Sequence, residues 1–277
     1  MPAKIIAIAN YKGGVGKTTT AVNLSHSLAY KPFCKRVLVI DMDPQSNATA
    51  ILSQNPKGEG KKSIGDVFFD DDTEISLCST PSKVKGVHII PAPMDGFKFK
   101  TAFSPFSLKG ILGLKVKVER DPKFLEAYDY IVIDCPPEID GPFVANALTV
   151  ADYLVMPLSA ESIFGLMAVD HFMGYFEEFS SVNPKIKFLG ALITFFDGQT
   201  NASALMEAQI LKYFGEEYVF KTRIFRTTTI GKAEMTGKTC IAYDPRVQGS
   251  RDYRSLAAEI ESMLSGKAVT VDLEEVE

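Results

Sequence analysis

Asn10-Tyr11-Lys12-Gly13-Gly14-Val15-Gly16-Lys17-Thr18-Thr19 closes on Gly-Lys-Thr and departs from the phosphate-loop pattern G-x-x-x-x-G-K-[ST] only at Tyr11, where glycine is usual. Gly13, Gly14 and Gly16 allow the backbone to wrap closely with its N–H groups turned inward, because a Cβ would resist the required φ values and crowd an anion. Lys17 is expected to reach the β and γ phosphates of a nucleotide and Thr18 to bind Mg²⁺. A helix starting near Thr18 would direct its positive dipole end at the same phosphates. The flanks supply the context that such a loop requires. Lys4 to Ala9 is an apolar run of strand length, and Thr19 to Tyr30 shows helical spacing through Val22, Leu24 and Leu28.

Further along the chain, strand-like runs recur at Arg36–Ile40, Val87–Ile90, Tyr130–Ile133, Tyr153–Met156 and Phe188–Ile193. Helical stretches lie between several of them, notably Phe143–Val150, Phe164–Phe179 and Ala202–Phe214. This alternation predicts an α/β fold: a doubly wound, mostly parallel sheet with helices on both faces. Ligands of such sheets collect at the carboxyl ends of the strands.

Two acidic sites stand where that rule would place them. In Val39-Ile40-Asp41-Met42-Asp43-Pro44-Gln45, alternation along an extended segment would turn both carboxylates the same way. One could then steady a metal's water shell while the other approaches an attacking water. In Ile131-Val132-Ile133-Asp134-Cys135-Pro136-Pro137 an apolar strand ends in aspartate, as an outer-sphere contact to Mg²⁺ needs, since that ion keeps several waters.

A chain of 277 residues with 46% hydrophobic content can bury a substantial core. A single domain over 1–265 is expected, with an irregular insertion at about 94–120 and an acidic, disordered tail at 266–277. Phe97, Phe99, Phe103 and Phe106 interleave with lysines in the insertion, read here as a folded surface element rather than a base-stacking platform. No apolar window has the length of a membrane span and the start leaves no room for a signal peptide, so a cytoplasmic location is expected. Cys34, Cys78, Cys135 and Cys240 form no C-x-x-C pair, which argues against a disulfide framework or a zinc site. His26, His88 and His171 are isolated and read as structural. Net charge is −4, yet Lys221 to Arg254 holds eight basic residues against three acidic ones. That one-sided balance suggests a nucleic-acid footprint, with Arg223, Arg226, Lys232, Lys238, Arg246 and Arg251 as candidate DNA contacts and Glu234, Asp244 and Asp252 as competing ion-pair partners.

The loop, the Asp41-Met42-Asp43-Pro44-Gln45-Ser46-Asn47-Ala48-Thr49 stretch and Asp134-Cys135-Pro136-Pro137 together resemble the deviant Walker ATPases of the ParA/Soj type, relatives of MinD. The likeness continues in Phe196-Asp197-Gly198-Gln199-Thr200-Asn201 and in Gly237 to Pro245, covering most of residues 3–264. It implies a slow Mg-ATP hydrolase that forms an ATP-sandwich homodimer, binds double-stranded DNA non-specifically as that dimer, and is stimulated by a ParB-like adaptor. Such a protein would be cytoplasmic and nucleoid-associated when ATP-bound, and would partition or position a DNA or protein cargo. By the same resemblance Lys12 reaches across the dimer to the partner's phosphates and residues Lys12, Gly13, Gly14, Val15, Gly16, Lys17, Thr18 and Thr19 hold the nucleotide. Asp43 orients the attacking water, and Thr18, Asp41 and Asp134 serve the metal. Ile224-Phe225-Arg226-Thr227 stands where many relatives have Ile-Pro-Arg-Asn, which puts Phe225 and Arg226 beside the adenine. Residues 94–120 match the family poorly and are assigned to a particular partner or cargo. A MinD-like membrane-positioning ATPase would need a basic amphipathic terminus, and Val269 to Glu277 is acidic. An ATP-gated protein scaffold that never binds DNA shares every nucleotide motif, and only the basic segment argues against it.

Overall fold

A computed structural model describes residues 2–56, 62–93, 95, 108–138, 141–161 and 169–269. Its strands are β1 (Lys4–Ile8), β2 (Val37–Asp41), β3 (Thr80–Pro81), β4 (Val87–Ile90), β5 (Tyr130–Asp134), β6 (Tyr153–Ser159), β7 (Lys187–Phe196) and β8 (Val219–Phe225). They form one sheet in the order β3-β4-β2-β5-β1-β6-β7-β8, parallel throughout except for the β3–β4 pair. Every residue of β2 and β5 is buried, as strands covered on both faces must be. Each isoleucine or valine fully buried there contributes roughly 1.5–3 kcal/mol of apolar transfer.

One face packs against the helices Ile64–Phe69, Leu108–Arg120, Pro142–Val150, Val169–Val182 and Asn201–Phe214, through side chains such as Phe68, Leu114, Val144, Phe172 and Ile210. The other carries Lys17–Ala29, Asn47–Leu52 and Gln248–Ser265, through Leu24, Leu28, Leu52, Leu256 and Ile260. Helices thus cover both faces, and the doubly wound expectation holds. The five apolar runs all became strands within one or two residues, although β6 and β7 run further than the runs suggested.

Two elements of the basic segment carry little local sequence signal. In β8, an edge strand of the sheet, exposed Lys221 and half-buried Thr222 and Arg223 stand between the buried Phe220 and Ile224, a polar centre that gives no strand-like apolar run. The Gln248–Ser265 helix buries Gly249, Ser250, Asp252 and Tyr253 in its first half, a face too polar to announce itself. Much of the expected insertion (94 and 96–107), the start of the Phe164–Phe179 helix and the tail from 270 onward lie outside the described residues, as does Phe97-to-Phe106 interleaving. The rest of that insertion includes the regular helix Leu108–Arg120.

Candidate functional site

The register puts Ile8, Asp134 and Asp41 in one row, so the loop that leaves β1 emerges beside the acidic end of β5, with that of β2 one strand further on. Loop residues 9–16 then lead into the Lys17–Ala29 helix. Gly14 (φ 72°) and Gly16 (φ 84°) adopt left-handed backbone, and no heavy atom lies within 4 Å of where a Cβ on Gly14 would stand. The helix begins at Gly16 with no side-chain cap and no acid in its first turn, which leaves its first N–H groups for an anion.

The loop is braced from β6 and β7, on the side of β1 away from the two aspartates. Asn10 Nδ2 donates to the Pro157 carbonyl (2.6 Å) while its Oδ1 accepts from the Lys12 N–H (3.0 Å). Thr194 Oγ1 donates to the carbonyl of buried Val15 (3.0 Å). Phe195, held at φ 51°, places its ring 3.7 Å from the position of a Cβ on Gly16. A bulky residue rarely takes that backbone, so the site stores strain here. Thr194 and Phe195 carry no local sequence signal, because what makes them matter is a strand pairing; Asn10 was inside the motif, and its anchoring role needed the position of β6.

Lys17 is buried, and its ammonium donates across the loop to the Lys12 carbonyl (2.9 Å). Burial pushes its pKa down, and the nearby Asp134, Cys135 and Asp43 work against that shift. Thr18 and Thr19 are half-buried at the helix start. Asp134 is fully buried, and neither of its oxygens makes a well-formed hydrogen bond, although the Thr18 hydroxyl lies beside it. Burial first, then the Asp41 charge, raises its pKa well above the carboxylate range. A buried carboxylate without a hydrogen-bond partner fits a place beside a cation.

Asp41 is differently employed. Its Oδ1 accepts from the Asp43 N–H (3.1 Å), and its Oδ2 accepts from both the N–H (2.8 Å) and hydroxyl (2.7 Å) of Thr49. Burial raises its pKa to about 6 against those bonds. Asp43 lies past the end of β2, so this turn closed on Asp41, and not strand pleat, sets its direction; its own Oδ1 accepts from the Gln45 N–H (2.9 Å).

These residues fit a nucleotide polyphosphate with a hydrated cation. Among the described residues no three His, Cys, Asp or Glu side chains form a metal cage. Mg²⁺ does not need one, since a hydroxyl, substrate phosphates and water-mediated carboxylates suffice. Asp43→Ala should keep nucleotide affinity within a few-fold while slowing phosphate release by about 100-fold or more, the scale of a lost acid–base or water-orienting group. Calorimetry beside a phosphate-release assay checks this, and normal turnover would move the water-orienting role to another residue.

The remaining candidates sit further out. Phe225 ends β8 and Arg226 follows it, at the carboxyl ends of the strands as the loop is but three strands from β1; Phe225 packs edge-on against Phe196 (5.4 Å) and Arg226 pairs with Glu161 (2.9 Å). Arg223 bonds Glu207 on the Asn201–Phe214 helix (2.6 Å), on the opposite face of the sheet from the helix bearing Arg251. Arg246 pairs with Asp244 (3.3 Å), while Lys232, Lys238 and Arg251 are exposed. Asp252 is buried and accepts from the Phe225 N–H (2.9 Å). The histidines take structural partners: His26 with Thr239, His88 with Tyr128, and His171 edge-on against Tyr11.

The AAA domain family model matches residues 3–188. The chain is 38% identical over 258 residues to the chromosome-partitioning ATPase Soj of Thermus thermophilus, covering 92% of this chain and 94% of that protein. It is 36% identical over 260 residues to the sporulation initiation inhibitor protein Soj of Bacillus subtilis, covering 93% and 98%. Among solved structures it is similar to cobyrinic acid a,c-diamide synthase of Mycobacterium smegmatis with bound ATP analog and magnesium, at TM-score 0.76 and 25% identity over 98% of this chain and 99% of that one.

Proposed function

The chain belongs to the AAA domain family and, with Soj and ParA, to the ParA/MinD superfamily of ATPases, and from that premise we propose that it is a partitioning ATPase working as an ATP-gated dimer on DNA. The observation that carries the reading is the buried, unpartnered Asp134 beside Lys17 and Thr18 at the mouth of a left-handed glycine loop. In that setting the loop and the helix start would hold the phosphates of ATP, and Thr18, with Asp134 and Asp41 behind it, would hold Mg²⁺. The ion supplies charge neutralisation to the β and γ phosphates. Lys17 adds a fixed positive charge inside the loop. Asp43, oriented by the Asp41 turn and the Gln45 N–H, positions the water that attacks.

Lys12 serves a second copy of the chain. It is half-buried, and its backbone is fastened by Asn10 and Lys17, so its side chain leaves from a rigid base. Lys12→Ala is expected to bind ATP almost normally as a monomer and to lose the ATP-dependent dimer, read by light scattering with a slowly hydrolysed analogue. Wild-type dimers in this variant would contradict a trans contact.

Binding of duplex DNA by the dimer is the finer part of the reading, with a ParB-like adaptor as the stimulating partner and residues 1–265 acting as one domain. Two basic faces engaging one duplex multiply phosphate contacts, which makes ATP the switch. A protein-only scaffold remains the second reading because Arg223, Arg226 and Arg246 already have acidic partners. Titrating unrelated duplexes at several salt concentrations, with ADP and with ATP, separates the two. Sequence-insensitive binding that needs ATP supports the partitioning reading, and no binding in either state favours the scaffold.

A further inference from the structure

One buried hydroxyl joins the turn after β2 to the segment that leaves β4. Thr49 stands in the Asn47–Leu52 helix, 3% exposed, and its Oγ1 both gives and takes a hydrogen bond. It donates to Asp41 Oδ2 (2.7 Å) and accepts from the Ala92 N–H (2.9 Å). A hydroxyl has one hydrogen, so the bond from Ala92 decides where that hydrogen goes: the N–H fills a lone pair and leaves the O–H to point at the carboxylate. Ala92 is the one residue of Pro91-Ala92-Pro93 with a backbone N–H to give, since proline has none. That short segment is itself fixed, because the Ile64 N–H donates to the Pro91 carbonyl (2.9 Å). The donor that orients the hydroxyl therefore comes from a rigid base.

Asp41 passes this arrangement on. Its Oδ2 is held twice by Thr49, through the N–H (2.8 Å) as well as the hydroxyl, which leaves Oδ1 turned toward the Asp43 N–H (3.1 Å). Asp43 in turn accepts from the Gln45 N–H through Oδ1 (2.9 Å) and from the Ser46 N–H through its carbonyl (2.8 Å). Ser46 sits at φ 57°, a left-handed backbone that a residue with a Cβ adopts at a cost, so the turn needs a closure to hold it. The bond from Asp43 to Asp41 is that closure, and the carboxylate that accepts it keeps its orientation while Oδ2 is anchored. Without the hydroxyl, Oδ2 loses one of its two donors and the buried Ala92 N–H loses its acceptor.

We propose that Thr49 is a positioning residue for ATP hydrolysis: its hydroxyl, aimed by the Ala92 N–H, fixes the Asp41 carboxylate, and Asp41 fixes the turn that presents Asp43 to the attacking water. Thr49 acts on the reaction only through those two residues. A misplacement of about 1 Å in a reacting group can cost on the order of 100-fold in rate, so one hydrogen bond behind the reacting groups is enough to matter. The inference rests on the water-orienting reading of Asp43 given above.

The test compares Thr49→Val, which keeps the shape and lacks the hydroxyl, with Thr49→Ser, which keeps the hydroxyl. Single-turnover phosphate release, with protein in excess of MgATP, should slow by about 10-fold to 100-fold in Thr49→Val and recover to within a few-fold of wild type in Thr49→Ser. Affinity for MgATP, read by calorimetry, should stay within a few-fold of wild type in both. Hydrogen exchange at the Asp43 amide, followed by nuclear magnetic resonance in nucleotide-free protein, gives a measure apart from activity. It should speed up in Thr49→Val and not in Thr49→Ser. In an Asp43→Ala background Thr49→Val should slow release no further, because the residue it positions is already gone. Thermal melts identify a variant that folds poorly, and Thr49→Ala then takes the place of Thr49→Val with the same expectations. Release at the wild-type rate in Thr49→Val, an unchanged Asp43 amide, or a slowing that adds in full to that of Asp43→Ala overturns the inference. Equal slowing in Thr49→Val and Thr49→Ser overturns it too, since packing and not the hydroxyl would then be at work. Normal turnover in Asp43→Ala removes the water-orienting reading and this inference with it, whereas a slow Asp43→Ala beside a normal Thr49→Val removes the inference alone.

Discussion

Lys17→Ala is expected to bind ATP at least about 100-fold more weakly than the wild type, a loss of roughly 3 kcal/mol, which is the scale of a charge-assisted hydrogen bond removed from a buried site. The reasoning starts from burial. Lys17 is 7% exposed, and its ammonium already pays for leaving water, a cost offset by Asp134, Cys135 and Asp43. Polyphosphate brought into the same space has little water to neutralise it, so the one fixed cation inside the loop carries an unusually large share of its binding. Truncation also leaves the Lys12 carbonyl without its donor, loosening the loop itself. Isothermal titration with MgATP, on protein shown to melt as the wild type does, reads the effect. Affinity within a few-fold of wild type would remove the phosphate-binding assignment from this loop.

The second large effect runs in opposite directions for stability and for function. Asp134→Asn should abolish Mg-dependent turnover and, in metal-free and nucleotide-free protein, raise the melting temperature by several degrees. A gain on the order of 2 kcal/mol would do so, since each kcal/mol moves a domain of this size by roughly 2–4 °C. Asp134 is fully buried with no well-formed hydrogen bond, and burial and the Asp41 charge raise its pKa. A raised carboxylate pKa means that the folded state binds its proton more tightly than the unfolded state does. The associated stability is therefore complete below the ordinary carboxylate range and is lost as pH rises through the folded value. Asp41, raised to about 6, follows the same sign. The advantage of Asp134→Asn over wild type should accordingly be largest near pH 8 and shrink toward pH 4, where both side chains are neutral. Differential scanning calorimetry in EDTA across that range tests it; an advantage that grows on acidification would show that Asp134 is stabilised as an anion. Sites tuned for a cation commonly carry this cost in its absence.

The sequence by itself determined the loop, the parallel α/β architecture and the acidic ends of two strands. Each of these rests on local physics: glycines that permit left-handed backbone, strand-length apolar runs demanded by burial on both faces, and a carboxylate next to such a run. It did not separate the duties of the two aspartates. Asp41 and Asp134 read alike as residues at strand ends, but Asp41 spends its oxygens on Asp43 and Thr49 whereas Asp134 has no such partners, and it is the path of the turn and helix after β2, which folds Thr49 back onto Asp41, that decides this. Nor could it divide the basic segment. A count of charges has no direction, and the alternation of β8 turns Arg223 onto Glu207 while the neighbouring Ile224 faces the other core. Tertiary structure alone brought Thr194 and Phe195 against the loop, Glu234 to Thr19, and Lys83 to Gly237. Those contacts join residues far apart in the chain, and their energies come from burial and hydrogen-bond satisfaction in a packed interior, for which neither residue type nor spacing leaves a local trace.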